Sequence, residues 1–318
     1  MNNSNTFVLS ICIPTWNRGA VLRRTLAALS SSGSFAAGKV QIVVSDNASD
    51  DDTPNVGREF AEKFSGRIKY WRHEKAIDPH FNFQHVLEMG EGEFIKLHTD
   101  YIFFEPEALD AFVASLENAE PDVGICLTGK AFTGSGRAAV SVDDVLKEIS
   151  FGITSINSLC LRRSAYYTLE DPFREWHTSF PQVDILLRLM DKGVKAWFFP
   201  EVPFCRICVL NNRNHTMIFA NYLDMLEKWV NAGKIAKSVF KREKRELLFK
   251  YLIPYHFDFF HQYNVSRTPL PFLPYCGHFK KEWYFVPALI WIGIMWFCSN
   301  IIPIHQFLGR IKRKFFLR

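Results

Sequence analysis

Five polar or turn-forming residues stand where two apolar runs stop. The run from Val8 closes on Pro14, Thr15 and Asn17, and the run from Val40 closes on Asp46 and Asn47. A third run, Gly90-Glu-Gly-Glu-Phe-Ile-Lys-Leu97, delivers His98 and Asp100 in the same manner. A carboxylate such as Asp46 can accept hydrogen bonds from a ligand. Asp100 can anchor a hard divalent cation that keeps several waters, and His98 can add an imidazole nitrogen suited to Mn²⁺. If protonated, His98 supplies positive charge directly. Further along, Asp184 and His177 are groups able to take up a proton. Asp184 is also placed to cap a helix over 185–190, and His177 to line a pocket or lie on the surface after Trp176.

The elements that must carry these residues follow from the pattern. Residues 7–14 and 40–46 are rich in Val and Ile with few polar interruptions, as buried parallel strands are. Ala20–Ser30 places Val21, Leu22, Leu26 and Leu29 on one face, so the segment 7–46 reads as a β-α-β unit with its two strand tips side by side. Ligands bind outside the carboxyl ends of such strands. A helix over 50–64, a strand over 68–72, a short helix over 80–89, a helix over 106–116 and strands over 123–128 and 195–200 continue the alternation. Residues 129–150 are Gly-rich and then polar, and read as a long loop over the site. Residues 217–263 read as two helices, and Thr268-Pro-Leu-Pro-Phe-Leu-Pro274 as a linker.

Composition narrows the class. The 318 residues include 30 Phe, and 48% are apolar. The net charge of +5 belongs to the end of the chain: residues 283–318 hold Arg310, Lys312, Arg313, Lys314 and Arg318 and no acid. A general nucleic-acid surface is a poor reading of that distribution; a local contact with acidic phosphates or lipid headgroups is a better one. Seven Cys at irregular spacing give no disulfide framework. Cys205-Arg-Ile-Cys208 has redox or half-zinc-site spacing, but lacks a second Cys/His pair, which favours a structural reading. The polar N-terminus lacks a signal-peptide core, so the folded part is expected on the cytoplasmic side.

Pro14-Thr-Trp-Asn-Arg18 and Asp46-Asn-Ala-Ser-Asp-Asp51 resemble the family 2 glycosyltransferases, as do residues 7 to 205 in general. The resemblance implies a GT-A fold: a Rossmann-like, mostly parallel sheet flanked by helices. Here it spans residues 1–210, followed by a helical extension over 211–267 and a membrane-associating tail over 268–318. It also implies that Asp46 contacts a base or ribose of a nucleotide-sugar donor, with Pro14, Thr15, Asn17, Asn47, Asn82 and Asp100 around it. The family's Asp-x-Asp metal motif is reduced here to His98-Thr-Asp100-Tyr101, so a divalent cation (Mn²⁺ or Mg²⁺) would rest on Asp100 with help from His98. The acceptor segment of the family carries Glu-Asp where this chain has Pro181-Gln182. An amide cannot take a proton, which leaves Asp184, ahead of His177, as the expected base. Phe151–Arg162 resembles the O-antigen and abequosyl branch, implying a lipid-linked saccharide acceptor of a bacterial surface polymer and an inverting transfer.

Trp283 to Ile304 carries no charge and is long enough to span a bilayer. The basic cluster beyond it opposes a span, because it would lie on the outer side. An in-plane helix followed by the amphipathic stretch 306–318 fits better, giving peripheral or monotopic attachment to the inner leaflet at the cytoplasmic face. A buried core helix with a solvated basic end is the soluble alternative. Two functional rivals stand beside the transferase: a non-catalytic nucleotide- or sugar-binding relative, and a sugar nucleotidyltransferase. The latter is disfavoured by the lack of a Gly-rich phosphate loop after the first run.

Overall fold

The computed structural model describes residues 7–128, 138–199, 204–206, 218–253 and 277–299. In chain order the first unit (Met1–Leu210) holds β1 (Leu9–Thr15), α1 (Gly19–Leu29), α2 (Gly33–Ala36), β2 (Val40–Asp46), α3 (Thr53–Lys63), β3 (Ile68–Arg72), α4 (Pro79–Glu88) and β4 (Phe94–Leu97). It continues with β5 (Ile102–Phe104), α5 (Pro106–Glu117), β6 (Val123–Leu127), β7 (Ala138–Ala139), α6 (Val142–Ile149), β8 (Leu159–Arg162), α7 (Arg163–Tyr166), α8 (Pro181–Asp191), β9 (Lys195–Phe198) and β10 (Phe204–Arg206).

Eight strands form one sheet in the order β3-β2-β1-β4-β8-β6-β9-β7, and β5 pairs with β10 separately. β3, β2, β1 and β4 run parallel, β8 is antiparallel to its neighbours, and β6 and β9 are again parallel to each other. β1 and β2 are buried along their whole length, as central strands with both faces covered must be. From β1 the chain steps one way to β2 and β3, and β4 then returns to the other side of β1. The carboxyl ends of β1 and β4 therefore flank a topological switch point, where open α/β sheets leave a crevice. On α1, Leu22, Thr25, Leu26 and Leu29 are buried at helical spacing and seat the crossover on the sheet.

Three sequence expectations need correction. Residues 138–149 are not loop: β7 pairs with β9, and α6 buries Val142, Val145, Leu146 and Ile149 behind a Ser141 cap that accepts from Asp144 N at 3.2 Å. Residues 129–137 of that expected loop lie outside the described residues. α3 begins at Thr53 rather than Asp50, because Asp51 is used to tie the loop before it. Helix α8 begins at Pro181, whose fixed φ suits the first helical position, so Asp184 lies inside the first turn rather than at a cap.

The second unit (Asn211–Arg318) contains α9 (Phe219–Asn231), α10 (Lys237–Glu246), which runs on into a wider turn over Leu247–Leu252, and α11 (Phe285–Ser299). α9 and α10 are held by a buried bond from Tyr222 Oη to Glu243 (2.8 Å), and Lys244 pairs with Glu282 ahead of α11. The described part of α11 covers 15 residues, about 22 Å along its axis. No helix among the described residues is long and apolar enough to cross a membrane. Cys208, residues 254–276 with the expected linker, and residues 300–318 with the basic cluster lie outside the described residues.

Candidate active site

The tips of β1 and β2 are stitched together by backbone N–H groups, most of them donating to side-chain oxygens. Asn47 N donates to Thr15 O (2.9 Å), Asn17 N to Ser49 Oγ (2.8 Å), Asp50 N to Asn17 Oδ1 (2.9 Å), Arg18 N to Thr53 Oγ1 (2.9 Å) and Gly19 N to Asp51 Oδ2 (3.0 Å). The approach is close enough that a Cβ on Gly19 would sit 2.8 Å from Thr53 N. Asn17 (φ 50°) and Ala48 (φ 61°) take left-handed conformations to make these turns. Cross-linked turns of this kind hold Arg18, the residue between Asn17 and Gly19, in a fixed backbone position.

Most of the residues expected to touch a donor instead build the cradle. Pro14 and Thr15 are buried at the end of β1. Asp46 is fully buried: Oδ1 accepts from Ser49 N (2.9 Å) and Ser49 Oγ (2.5 Å), and Oδ2 from Tyr70 Oη (2.6 Å). Its carboxylate fastens the turn and is not presented to a ligand in this geometry, which corrects the base- or ribose-binding role. Asn47 exchanges both amide groups with Ile77 N and O at 2.8 Å, fixing the segment before α4. Asn82 accepts from Ser45 Oγ (2.6 Å) and donates to Ser45 O (3.2 Å), joining α4 to β2. Exposed beside the β2 tip are Trp71 and Arg72 at the end of β3 and the acids Asp50, Asp51 and Asp52, and Trp16 follows β1.

Asp100, just beyond β4, meets the β1 tip across the switch point. Thr15 Oγ1 donates to Oδ2 (2.8 Å), Arg18 Nη1 to Oδ1 (2.7 Å), and Thr25 Oγ1 to the Asp100 carbonyl (2.5 Å). Burial pushes the Asp100 carboxyl above its ordinary value, against the opposing pull of Arg18 and Thr15. The Arg18 guanidinium also lies 5.3 Å from the Tyr101 ring centroid, within cation–π range. From below, Asn157 Oδ1 accepts Thr99 N (2.9 Å), and its carbonyl accepts the buried Lys96 ammonium. Burial lowers that ammonium to about 8.

His98 does not join this group. It is fully buried, stacked on Phe104 with centroids 5.6 Å apart, and its Nε2 donates to Ile102 O at 2.6 Å. Burial, with Lys96 adding to it, pushes the imidazole down to about 3, so it carries no charge at neutral pH. Both roles expected of His98, metal ligand and source of positive charge, are thereby corrected; the cation on Asp100 is Arg18. A divalent ion wants a set of exposed oxygen donors. Here there is one carboxylate, its side chain 3% exposed, with both oxygens already bonded. Among the described residues, the trio able to converge on an ion is Asp224, Glu227 and His278, in the second unit. The residues at Asp100 therefore do not fit a pre-built divalent cation site.

On the acceptor side, Asp184 is not placed as a base. It is buried, with Arg174 Nη2 at 2.9 Å and Nε at 3.1 Å, and Arg188 Nε at 2.9 Å on the other flank. Arg188 also donates to the carbonyls of Glu170 (2.8 Å) and Asp171 (3.0 Å). Two guanidiniums on one carboxylate clamp the 170–174 segment to α8. Gln182 is buried too, its amide given to Thr154 O at 2.6 Å. His177 is different: its side chain is 59% exposed, and Nε2 lies 3.6 Å from Glu175 Oε2. Next to it, Trp176 packs on Phe81 (5.4 Å) and His80 (6.3 Å) of α4, the helix tied to the β2 tip. His177 thus stands at the carboxyl edge of the sheet behind an exposed pair of rings.

Sequence reasoning missed Arg18 and the Phe81–Trp176 pair. Arg18 is in the opening motif, but its partner is 82 positions away and no local spacing marks the pair.

Comparison with known proteins identifies the family and the fold. The model of the family described as Glycosyl transferase family 2 matches residues 10–168, half of the chain, including both strand tips and Asp100. The abequosyltransferase RfbV of Salmonella typhimurium is 26% identical over 123 residues, which cover 37% of this chain and 35% of that protein. The chain thus spans about a third of the length of that curated relative. Among solved structures, the mannosyltransferase PcManGT of Pyrobaculum calidifontis, in complex with GDP-Man and Mn²⁺, superposes with a TM-score of 0.56 at 15% identity. The match covers 91% of this chain and 84% of that one. Residues 1–349 of S. aureus TarS, in complex with UDP, give a TM-score of 0.54 at 16% identity over 84% of this chain and 77% of that one. The fold is shared with these glycosyltransferase structures, as the expected GT-A architecture requires.

Proposed function

The chain belongs to glycosyl transferase family 2, and from that membership we propose that it transfers a sugar from a nucleoside-diphosphate donor to a hydroxyl of a lipid-linked saccharide. The observation that carries the reading is the Thr15–Arg18–Asp100 cluster at the switch point between β1 and β4. It places a fixed positive charge beside a crevice, where negative charge on a departing diphosphate needs stabilising. The donor base and ribose fall to the exposed Trp71 and Arg72 beside the β2 tip.

His177 takes the proton from the acceptor hydroxyl, with the Glu175 carboxylate 3.6 Å from its Nε2. The hydroxyl oxygen then bonds to the anomeric carbon. The bond from that carbon to the diphosphate breaks, and its electron pair leaves with the diphosphate. Attack from the face opposite the leaving group inverts the centre. Phe81 and Trp176 form the wall against which an acceptor sugar ring packs. No step is routed through a divalent ion, because the donor set at Asp100 does not fit one.

The likeness to an abequosyltransferase supports the bacterial surface-polysaccharide setting. α11 supports an acceptor held at the inner leaflet on the cytoplasmic face: Val286, Ile290, Trp291 and Ile294 are exposed on it, and Trp283, which precedes it, is 82% exposed. An apolar surface of that kind suits the headgroup boundary. The purified chain with anionic vesicles and a panel of UDP-, GDP-, CDP- and dTDP-sugars tests the reading. One donor should be consumed in the presence of lipid-linked saccharides from a bacterial envelope extract. Donor binding without transfer or hydrolysis would assign the chain to the non-catalytic relatives instead.

A further inference from the structure

We propose that Arg18 is the built-in cation of the diphosphate subsite, so that this chain grips the donor's phosphates through a guanidinium held by Asp100. The inference rests on the donor-binding reading above and deepens it.

Three observations converge on Arg18. Its backbone N–H is fixed by Thr53, so the side chain leaves the β1 tip in a set direction. Nη1 is anchored on Asp100 Oδ1 at 2.7 Å, while 36% of the side chain remains exposed. A guanidinium carries five N–H donors in a planar fork, and this anchor spends one of them. Asp100 in turn is too enclosed to meet a ligand: its role is to orient the guanidinium and balance its charge when the subsite is empty. The residues flanking Asp100 fit the same plan. His98 is withdrawn into the core, and the Tyr101 ring lies 5.3 Å from the guanidinium, on which side it limits where the fork can swing. Asp50, Asp51 and Asp52 on the neighbouring tip are exposed acids that repel a diphosphate, which favours the Arg18 side of the crevice for the phosphates.

Calorimetry on the full chain with UDP, GDP, CDP and dTDP, each in EDTA and in MnCl₂, tests this, with the matching monophosphates as controls. One diphosphate should bind with the same affinity in both buffers. Arg18→Met should weaken that diphosphate at least about tenfold, the loss expected for a charge-assisted bond, while leaving the monophosphate unchanged. Asp100→Asn, which keeps a group able to accept from Arg18, should retain chelator-resistant binding. Arg18→Met together with Asp100→Asn removes any buried unpaired carboxylate, so a loss seen in both variants is not a folding defect. Binding that vanishes in EDTA, returns with Mn²⁺, and is lost in Asp100→Asn but not in Arg18→Met would overturn the inference and leave the donor reading intact. If none of the nucleotides binds, both fall.

Discussion

Replacing Asp184 by Asn separates a clamp from a catalytic base. The carboxylate is buried and flanked by Arg174 and Arg188, and Arg188 in turn holds the carbonyls of Glu170 and Asp171. Breaking a buried ion pair by removing one partner costs about 3–5 kcal/mol. The Arg188 side chain is 12% exposed and keeps that scale, whereas Arg174 is 46% exposed and adds little. A loss of about 3 kcal/mol is therefore expected, equivalent to about 6–12 °C in Tm for a unit of this size. Turnover of the surviving folded enzyme should fall less than about tenfold, because the 170–178 segment loosens but the reacting groups remain. A general base would behave in the opposite way, with turnover down by about 10²–10⁴ and stability unchanged. Thermal melts and initial rates on the same preparation decide between them. A Tm within a degree of wild type together with a thousandfold lower kcat would refute the clamp.

His177→Gln should lower kcat by about 10²–10⁴ with little change in Tm, since its side chain is 59% exposed; rates close to wild type would remove it from the mechanism. His98 should make the fold acid-sensitive. Its folded value is about 3 against an ordinary 6.5, so the unfolded chain binds the extra proton and stability present above 6.5 is lost as pH falls. Between pH 7 and pH 5 that amounts to about 2 kcal/mol, measured by urea melts and absent from the slope of His98→Asn. Ile290→Glu with Trp291→Glu should weaken sedimentation with anionic vesicles about tenfold or more, because both side chains are exposed apolar surface on α11; unaltered partitioning would detach α11 from the membrane role.

The parallel strands were legible because each apolar run ends abruptly, and a central strand buried on both faces tolerates no polar interior. α6 was obscured: Val142, Val145, Leu146 and Ile149 are spaced as a helix, but the Gly-rich stretch before them outweighed a pattern only eight residues long. The site was legible in location and less so in role. Asp46, Asn47 and Asn82 lie at the cradle as expected, yet their polar atoms are spent on Ser49, Ile77 and Ser45. Sequence shows that a carboxylate sits at a strand end, but not whether its oxygens face outward. That depends on partners such as Tyr70 and Arg188, which the fold brings from other elements. Arg18 was hidden for the same reason, since only the β1–β4 juxtaposition sets it on Asp100.

A crystal of the full chain grown with its nucleotide-sugar is the most direct examination of this account. Diphosphate density should lie between the tips of β1 and β4, with its oxygens within hydrogen-bonding distance of the Arg18 guanidinium. A donor bound elsewhere, or a crevice between those tips filled by the chain's own side chains, would contradict it.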